Sequence, residues 1–467
     1  MHVPTILDSP SKPTASKPWI SRRKKLSLIL GAIALVAVGT YYTGSAMLSR
    51  YLESGDLRSR ITRHTAKVLG APSAYQSLSW RGISVFSEGF RAEGKDTTAL
   101  TALRARSINA RSNIAEVWHG KWRIETLTLE HLEAAYGSAA ATQLSQDFPP
   151  GPPLEPPAES ESPFSLDIRH TSIARTDLHW GAEPKTLGSL RDVATNWYPI
   201  GKDLVVHGEG GTLTQFGFPE LVVKNFKLYY AKPSLRIDEG SLTVGKTGLI
   251  SVGGQFIFDK PGTMDVRLGF LRCPITPFLP KDSRSKLSGT FAGEARLQKK
   301  LSGEASVASE GQFAFSGAVL QSIDALQKVA AFTGKREFSR LTLEELRGDF
   351  HSDGETTTIK DLELEARGLL RVEGYCTMQK QSIRGTLKVG TTAAVLASFP
   401  GAREAVFTEA RGDYFWTTVK VSGSMKEPHN DLKPRLVSAA KRHFAKKLLA
   451  PLLKPGKEVI EQIDALF

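Results

Sequence analysis

Gly240-Ser241-Leu242-Thr243-Val244-Gly245-Lys246-Thr247 fits the phosphate-binding pattern G-x-x-x-x-G-K-[ST] letter for letter. In a working phosphate loop a buried strand precedes the glycines, and a helix follows whose N-terminal N–H groups hold the phosphates. Here the four intervening residues alternate polar and apolar, as a strand does. The continuation, Gly248-Leu249-Ile250-Ser251-Val252-Gly253-Gly254-Gln255-Phe256, is rich in glycine and β-branched residues that disfavour a helix. No apolar run ending in a magnesium-binding Asp follows. The spacing predicts a hairpin turn at Gly245-Lys246 and no nucleotide site.

Other reactive constellations are missing. The chain holds no H-E-x-x-H, no G-x-S-x-G and no Cys/His cluster with metal-ligand spacing. Its histidines are scattered singly, among them His119, His170, His207 and His351. A lone His is more often a surface or hydrogen-bonded residue than a ligand. The acid pairs Glu344-Glu345 and Glu363/Glu365 sit in helix-start or alternating contexts, where a solvated face accounts for them. No residue is singled out as catalytic, cofactor-binding or metal-ligating, and the chain reads as non-enzymatic. Two cysteines, Cys273 and Cys376, do not make a disulfide scaffold. One bridge and two separate thiols fit equally well.

The elements that must position any site begin with a membrane segment. After the basic cluster Arg22, Arg23, Lys24 and Lys25, an uncharged run extends from Leu26 to Leu48. It exceeds the roughly 20 helical residues needed to cross the hydrocarbon core. Residues 1–25 then form a cytoplasmic leader, residues 26–48 a single-pass anchor, and the bulk is periplasmic, because basic residues stay inside. The rival is a cleaved signal peptide ending near Gly44-Ser45-Ala46. The run is long for a signal sequence, which favours the inner-membrane anchor. A net charge of +13 is spread along the chain, which argues against a nucleic-acid groove and suits an anionic lipid surface.

Residues 49–137 read as a helix, Leu57 to Leu69, followed by strands. Gly70 and Pro72 stop the helix. Ser79 to Phe86 and Trp122 to Leu129 alternate as strands do, with one helical turn expected at Ile114–Trp118. Residues 138–163 are a Pro-rich linker. Residues 164–430 read as a long antiparallel meander, interrupted by a helix at residues 318–334 and a shorter one from Thr392 to Ser398. Val319, Ile323, Leu326 and Ala330 form the apolar face of the longer helix. Residues 431–467 form a basic amphipathic helix with Leu436, Val437, Ala440, Phe444 and Leu448 on one stripe. Lys441, Arg442, Lys446 and Lys447 lie beside that stripe. It can lie on an anionic membrane or dock on its own sheet, and docking is preferred.

This order of pieces resembles the AsmA-like envelope proteins, the superfamily that includes TamB, over roughly 85% of the chain. The likeness begins with the anchor, Leu57 to Gly70, and Tyr75 to Gly94. It continues through Leu103-Arg104-Ala105-Arg106-Ser107-Ile108 and Ile124-Glu125-Thr126-Leu127-Thr128-Leu129-Glu130. At the other end, Gly311-Gln312-Phe313 leads into the Val319–Gly334 helix, a strand at Leu341–Phe350, a pair at Ile359–Gly374 and another strand at Ile383–Gly390. Trp416 to Ser424 then reaches Pro428. The Pro-rich break and the short length depart from the family.

The resemblance implies a mostly β fold: one transmembrane helix, then an elongated, curled antiparallel sheet whose apolar groove shields phospholipid acyl chains. It also implies envelope lipid transport and outer-membrane biogenesis, with envelope protein partners. The groove candidates are Phe226, Leu228 and Tyr230 on one strand, and Val266, Leu268 and Phe270 on another. Alternation puts each trio on one face, and leaves open whether that face meets lipid or a second sheet. The rivals are a β-rich scaffold that binds protein, and a membrane-anchored hydrolase whose histidines and acids converge from distant positions.

Overall fold

The structure is a computed structural model. It describes residues 62–447 apart from 64, 68, 82–83, 95–99, 113–120, 145–152, 155, 157–164, 260, 302–305 and 426, together with residues 59 and 461. The leader, the 26–48 segment, the Ile114–Trp118 turn, most of the Pro-rich stretch and Leu448 onward lie outside the described residues. Among the described residues no helix is long and apolar enough to cross a membrane.

The described chain is mostly β. Its first strands are β1 (Ser73–Tyr75), β2 (Ser79–Arg81), β3 (Ser84–Glu93), β4 (Leu100–Ser112) and β5 (Lys121–Tyr136), followed by the short helix α1 (Ser138–Ala141). Next come β6 (Ser165–Ile168), β7 (Thr171–Trp180), β8 (Gly188–Ile200), β9 (Asp203–Glu209) and β10 (Thr212–Gln215). The long hairpins are β11 (Leu221–Ala231), β12 (Ser234–Val244), β13 (Gly248–Ile257), β14 (Thr263–Pro274), β15 (Leu287–Lys300) and β16 (Ala308–Gln321). Helix α2 (Asp324–Thr333) precedes β17 (Arg340–Leu343), β18 (Glu345–Ser352), β19 (Thr356–Ala366), β20 (Leu370–Gln379) and β21 (Ser382–Thr392). The described chain closes with α3 (Ala393–Leu396), α4 (Ala402–Ala405), β22 (Glu409–Arg411), β23 (Tyr414–Ser424), β24 (Pro428–Asn430) and α5 (Leu432–Lys447).

All 24 of these strands belong to one sheet, laid down nearly in chain order. The ladders are antiparallel except where β5 meets β6 and β7, which run parallel to it. Parallel neighbours need a crossover of a dozen or more residues, and the Pro-rich stretch lies within that connection. The strands on its two sides therefore pair directly with each other. Within the expected linker, residues 138–141 form α1, and Ala140 is buried beside Ala102 and Ala135.

Several boundaries differ from the sequence reading. Ser79 to Phe86 is a hairpin and not one strand, since Ser79 faces Phe86 and Arg81 faces Ser84. The helix expected over 318–334 begins only at Asp324, because Val319 is held in β16 between Ser288 and Thr342. Ser322, at φ 56°, breaks the strand, and Gly334, at φ 68°, ends the helix in the left-handed conformation. Leu341–Phe350 is two strands, β17 and β18, so Glu344-Glu345 starts no helix. Helix α5 starts ahead of Pro434, with the Leu432 and Lys433 N–H groups donating to Asn430 Oδ1 at 3.2 and 3.3 Å. Pro434 falls in the first turn, where its missing N–H costs nothing.

Both ends of the sheet carry helical cover. Where described, residues 62–69 are helical, and Gly70 N–H and Ala71 N–H reach the Lys67 and Ala66 carbonyls at 3.2 and 3.1 Å. Leu69 and Ala71 pack with Tyr75, Phe90, Leu103, Ile108, Leu127 and Leu132 in one buried core. At the far end Ala330, Val395, Leu396, Ala402, Leu436 and Ala440 of α2 to α5 cover strand residues such as Leu341, Leu343 and Ala366. The C-terminal helix thus docks on its own sheet, leaving Lys441 and Arg442 exposed. It also blocks the sheet edge. Asp431 Oδ1 accepts the Lys420 N–H at 2.8 Å, and Arg435 donates to the Thr418 carbonyl at 2.6 Å.

Candidate functional site

Residues opposite each other in a ladder point to the same face, so register decides which side chains meet. One row runs Trp197, Val206, Leu228, Ile237, Gly254, Val266, Leu297. Beside it run Leu204, Tyr230, Leu235, Phe256, Met264. On its other side run Val252, Leu268, Ala295, Gly311, Phe350, and then Leu242, Ile250, Phe270, Gly293, Phe313. Phe226 faces Gly208 and Gly240, and its ring lies over Gly208, which has no Cβ to displace it. The two trios proposed from sequence therefore share one face and join through β12 and β13.

That face is continuous with the N-terminal core, where Trp197 and Leu204 are buried with Val206 and Tyr230 packed against them. In the middle of the meander the packing loosens. Leu228, Ile237, Val252, Leu268, Leu297 and Phe350 are only partly buried. Facing sheets in a sandwich interdigitate at interior density and would hide such residues. A cavity of about 1060 Å³ is lined by Gly240, Val252, Leu268, Ala295, Gly311 and Phe350 together with charged strand neighbours, among them Arg267, Glu294, Arg296, Glu310 and Lys360. Seven side-by-side strands, each about 4.8 Å from the next, can line one cavity only if the sheet bends around it. Ile237, Val252, Ala295 and Phe350 join this face through strand register, which local alternation does not reveal.

The opposite face is charged and stitched across strands. Arg296 grips Asp265 through two bonds of 2.9 and 2.6 Å. Arg347 Nη2 donates to Glu363 Oε2 at 2.8 Å, Arg371 lies 3.8 Å from Glu363 and 3.6 Å from Glu365, and Arg411 reaches Glu373 at 2.6 Å. Arg347 also lies 3.0 Å from Glu345, and Glu344 accepts the Arg367 N–H at 2.6 Å, so both acid pairs have structural partners.

A second constellation was not foreseen. His131-Leu132-Glu133 on β5 and Asp177-Leu178-His179 on β7 place His131 Nε2 2.7 Å from Asp177 Oδ2, and Glu133 Oε1 3.6 Å from His179 Nε2. All four side chains are buried. Burial works to raise the Asp177 pKa, but the His131 bond, the Asp192 N–H at 2.7 Å and the nearby Arg175 guanidinium outweigh it and hold it at about 2. The mirrored His-x-Glu and Asp-x-His spacings were the signal available. Carboxylate–imidazole couples can move protons, yet these sit inside the sheet, on different strands from the cavity.

The remaining motifs resolve simply. Val244 pairs with Gly248 around Gly245-Lys246-Thr247, with Gly245 at φ 60°, and β13 follows directly. No helix N-terminus stands there to hold a phosphate. Cys273 and Cys376 are both free, on β14 and β20, and burial raises the pKa of each thiol. His170 lies 3.2 Å from Asn196 and stacks on Tyr198, and His207 meets the Tyr198 ring edge. His351 stands 3.9 Å from Glu310, and His119 lies outside the described residues. Comparison with protein-family models, curated proteins and solved structures finds no match to this chain, so a functional reading rests on its own residues.

Proposed function

We propose that this chain is an AsmA-like, inner-membrane-anchored envelope protein that shields phospholipid acyl chains along the apolar face of a curled, elongated sheet. In this reading it acts without catalysis, in lipid transport and outer-membrane biogenesis, with its bulk in the periplasm. The supporting observation is the one continuous apolar face, covered by helices at both ends and only partly buried between them. Acyl chains are flexible hydrocarbon, so they suit an apolar surface with no fixed polar partners. The cross-strand row Val252, Leu268, Ala295, Gly311 and Phe350 supplies the length, and the ion-paired opposite face keeps the sheet in water.

The test is mass spectrometry of lipid that co-purifies with the full chain in mild detergent. Phospholipid is expected with the parent and lost from Leu268→Glu while the fold persists. A parent that carries no lipid, together with a Leu268→Glu chain that unfolds, would replace this reading with a packed scaffold for protein partners.

A further inference from the structure

The charged face of the meander carries an apolar patch at the end where the β10–β11, β12–β13 and β14–β15 connections gather. A single cross-strand row there runs Arg191, Thr212, Val222, Thr243, Leu249, Leu271. Val222, Leu249 and Leu271 are exposed, while their strand neighbours Leu221, Val223 and Ile250 point the other way and are buried. Beyond the row, the β10–β11 connection holds up Phe216 and Phe218, which are 58% and 65% exposed. The turn is ordered, since Phe218 N–H donates to the Gln215 carbonyl at 3.0 Å and Phe216 N–H to the Leu187 carbonyl at 2.9 Å. Two exposed phenylalanines on a hydrogen-bonded turn, at the same end as a row of exposed aliphatics, give this end an apolar surface of the kind that marks a binding site.

The charges around the patch select its partner. Arg191 ends the row, Lys246 caps the adjoining turn, and Arg272 follows Leu271 with its backbone at φ 51°. All three are exposed, and exposed Lys281, Arg284 and Lys286 stand on the next connection at the same end. The acids beside them are Asp192, Glu220 and Asp282, fewer than the six cations. Aromatic and aliphatic tips ringed by Lys and Arg match a bilayer interface, where rings enter the headgroup region and cations meet anionic phosphates. We propose that this end of the sheet docks on an anionic phospholipid bilayer, with Phe216 and Phe218 inserted. This surface is on the face opposite the acyl-chain rows, so it stands or falls independently of them.

The full chain carrying Phe218→Cys, labelled with a polarity-sensitive dye, is mixed with vesicles of phosphatidylcholine alone or with about 30% phosphatidylglycerol. The unsubstituted chain treated in the same way supplies the background from Cys273 and Cys376. A Lys380→Cys chain places the dye on the β20–β21 turn, and binding through other parts of the molecule is common to both. The dye at 218 should enter a low-polarity environment with anionic vesicles only, and the dye at 380 should stay in water. Lys246→Gln with Arg272→Gln should weaken the response about 25-fold, from roughly five-fold per charge. Phe216→Ser with Phe218→Ser, both at exposed positions, should remove binding by this end without unfolding. A dye at 218 that stays in water, or responds equally to uncharged vesicles, overturns the proposal. So does vesicle binding unchanged by the Phe216→Ser, Phe218→Ser pair, and the patch would then belong to a protein.

Discussion

The N-terminal core and the middle of the meander belong to the same sheet and use the same alternation, but they pack differently. Around β4 and β5, Ala105, Ala110, Ile124 and Leu127 have no exposed surface. Around β11 to β15, Val223, Ile250 and Val266 are buried, but Leu228, Ile237, Val252, Leu268 and Leu297 on the same face are left partly open. The difference lies in the cover. Leu69 and Ala71, at the end of the N-terminal helix, join the first core, and α2 to α5 close the far end. Among the described residues, the middle holds the small cluster of Leu221, Val244, Ile250 and Cys273, with Phe278 packed against it. Alternation makes a face, and what lies over that face determines its use.

Charge insertion should separate the two regions most strongly. Leu127→Glu buries an unpaired carboxylate and should cost about 4 kcal/mol or more, enough to unfold much of a chain whose whole stability is about 5–15 kcal/mol. Asp177→Asn should cost about 2 kcal/mol at pH 7 by urea unfolding, through loss of charge-assisted bonds to His131 and Arg175. The folded pKa of Asp177, about 2, lies below the unfolded value of 3.8, so its contribution is full above that value and fades as pH falls toward 2. Parent and variant should therefore converge in stability between about pH 4 and 2, and an unchanged gap would remove Asp177 from the account. Leu268→Glu should cost about 1 kcal/mol or less in a thermal melt, because its carboxylate can reach water from a partly open face. A loss as large as that at Leu127 would mean the two regions are equally packed. The smallest effect is expected at Lys246→Ala, about 0.5 kcal/mol or less, with no ATP binding in parent or variant.

Strand content, the β12–β13 hairpin, the helix stop at Gly70 and the docked stripe of α5 were all legible locally. The buried His131–Asp177 and Glu133–His179 pairs were not. Extending the alternation from Leu127 and Leu129 would turn His131 and Glu133 toward the core and Leu132 away from it. Instead Ser107, at φ 52°, stands opposite Glu130 and donates to its carboxylate at 2.5 Å, and beyond this irregularity Leu132 and Ala134 enter the core. Asp192, at φ 59°, marks a similar break on β8, where register shifts accompany the pairing with β7. Such breaks invert the facing of every later residue, and no alternation rule survives them.

The sequence by itself determined that this is a strand-rich chain with one apolar side, because period-two alternation and turn residues act within a few positions along the backbone. It also determined that Gly245-Lys246-Thr247 turns a hairpin, since glycine and β-branched residues leave no helix after it. Only the tertiary structure decided that Leu228 and Leu268 share a face, that β5 and β7 run parallel across the Pro-rich connection, and that the middle of the apolar face stays partly uncovered. Those outcomes depend on register and on cover between residues far apart in the chain, and local propensity carries no information about either.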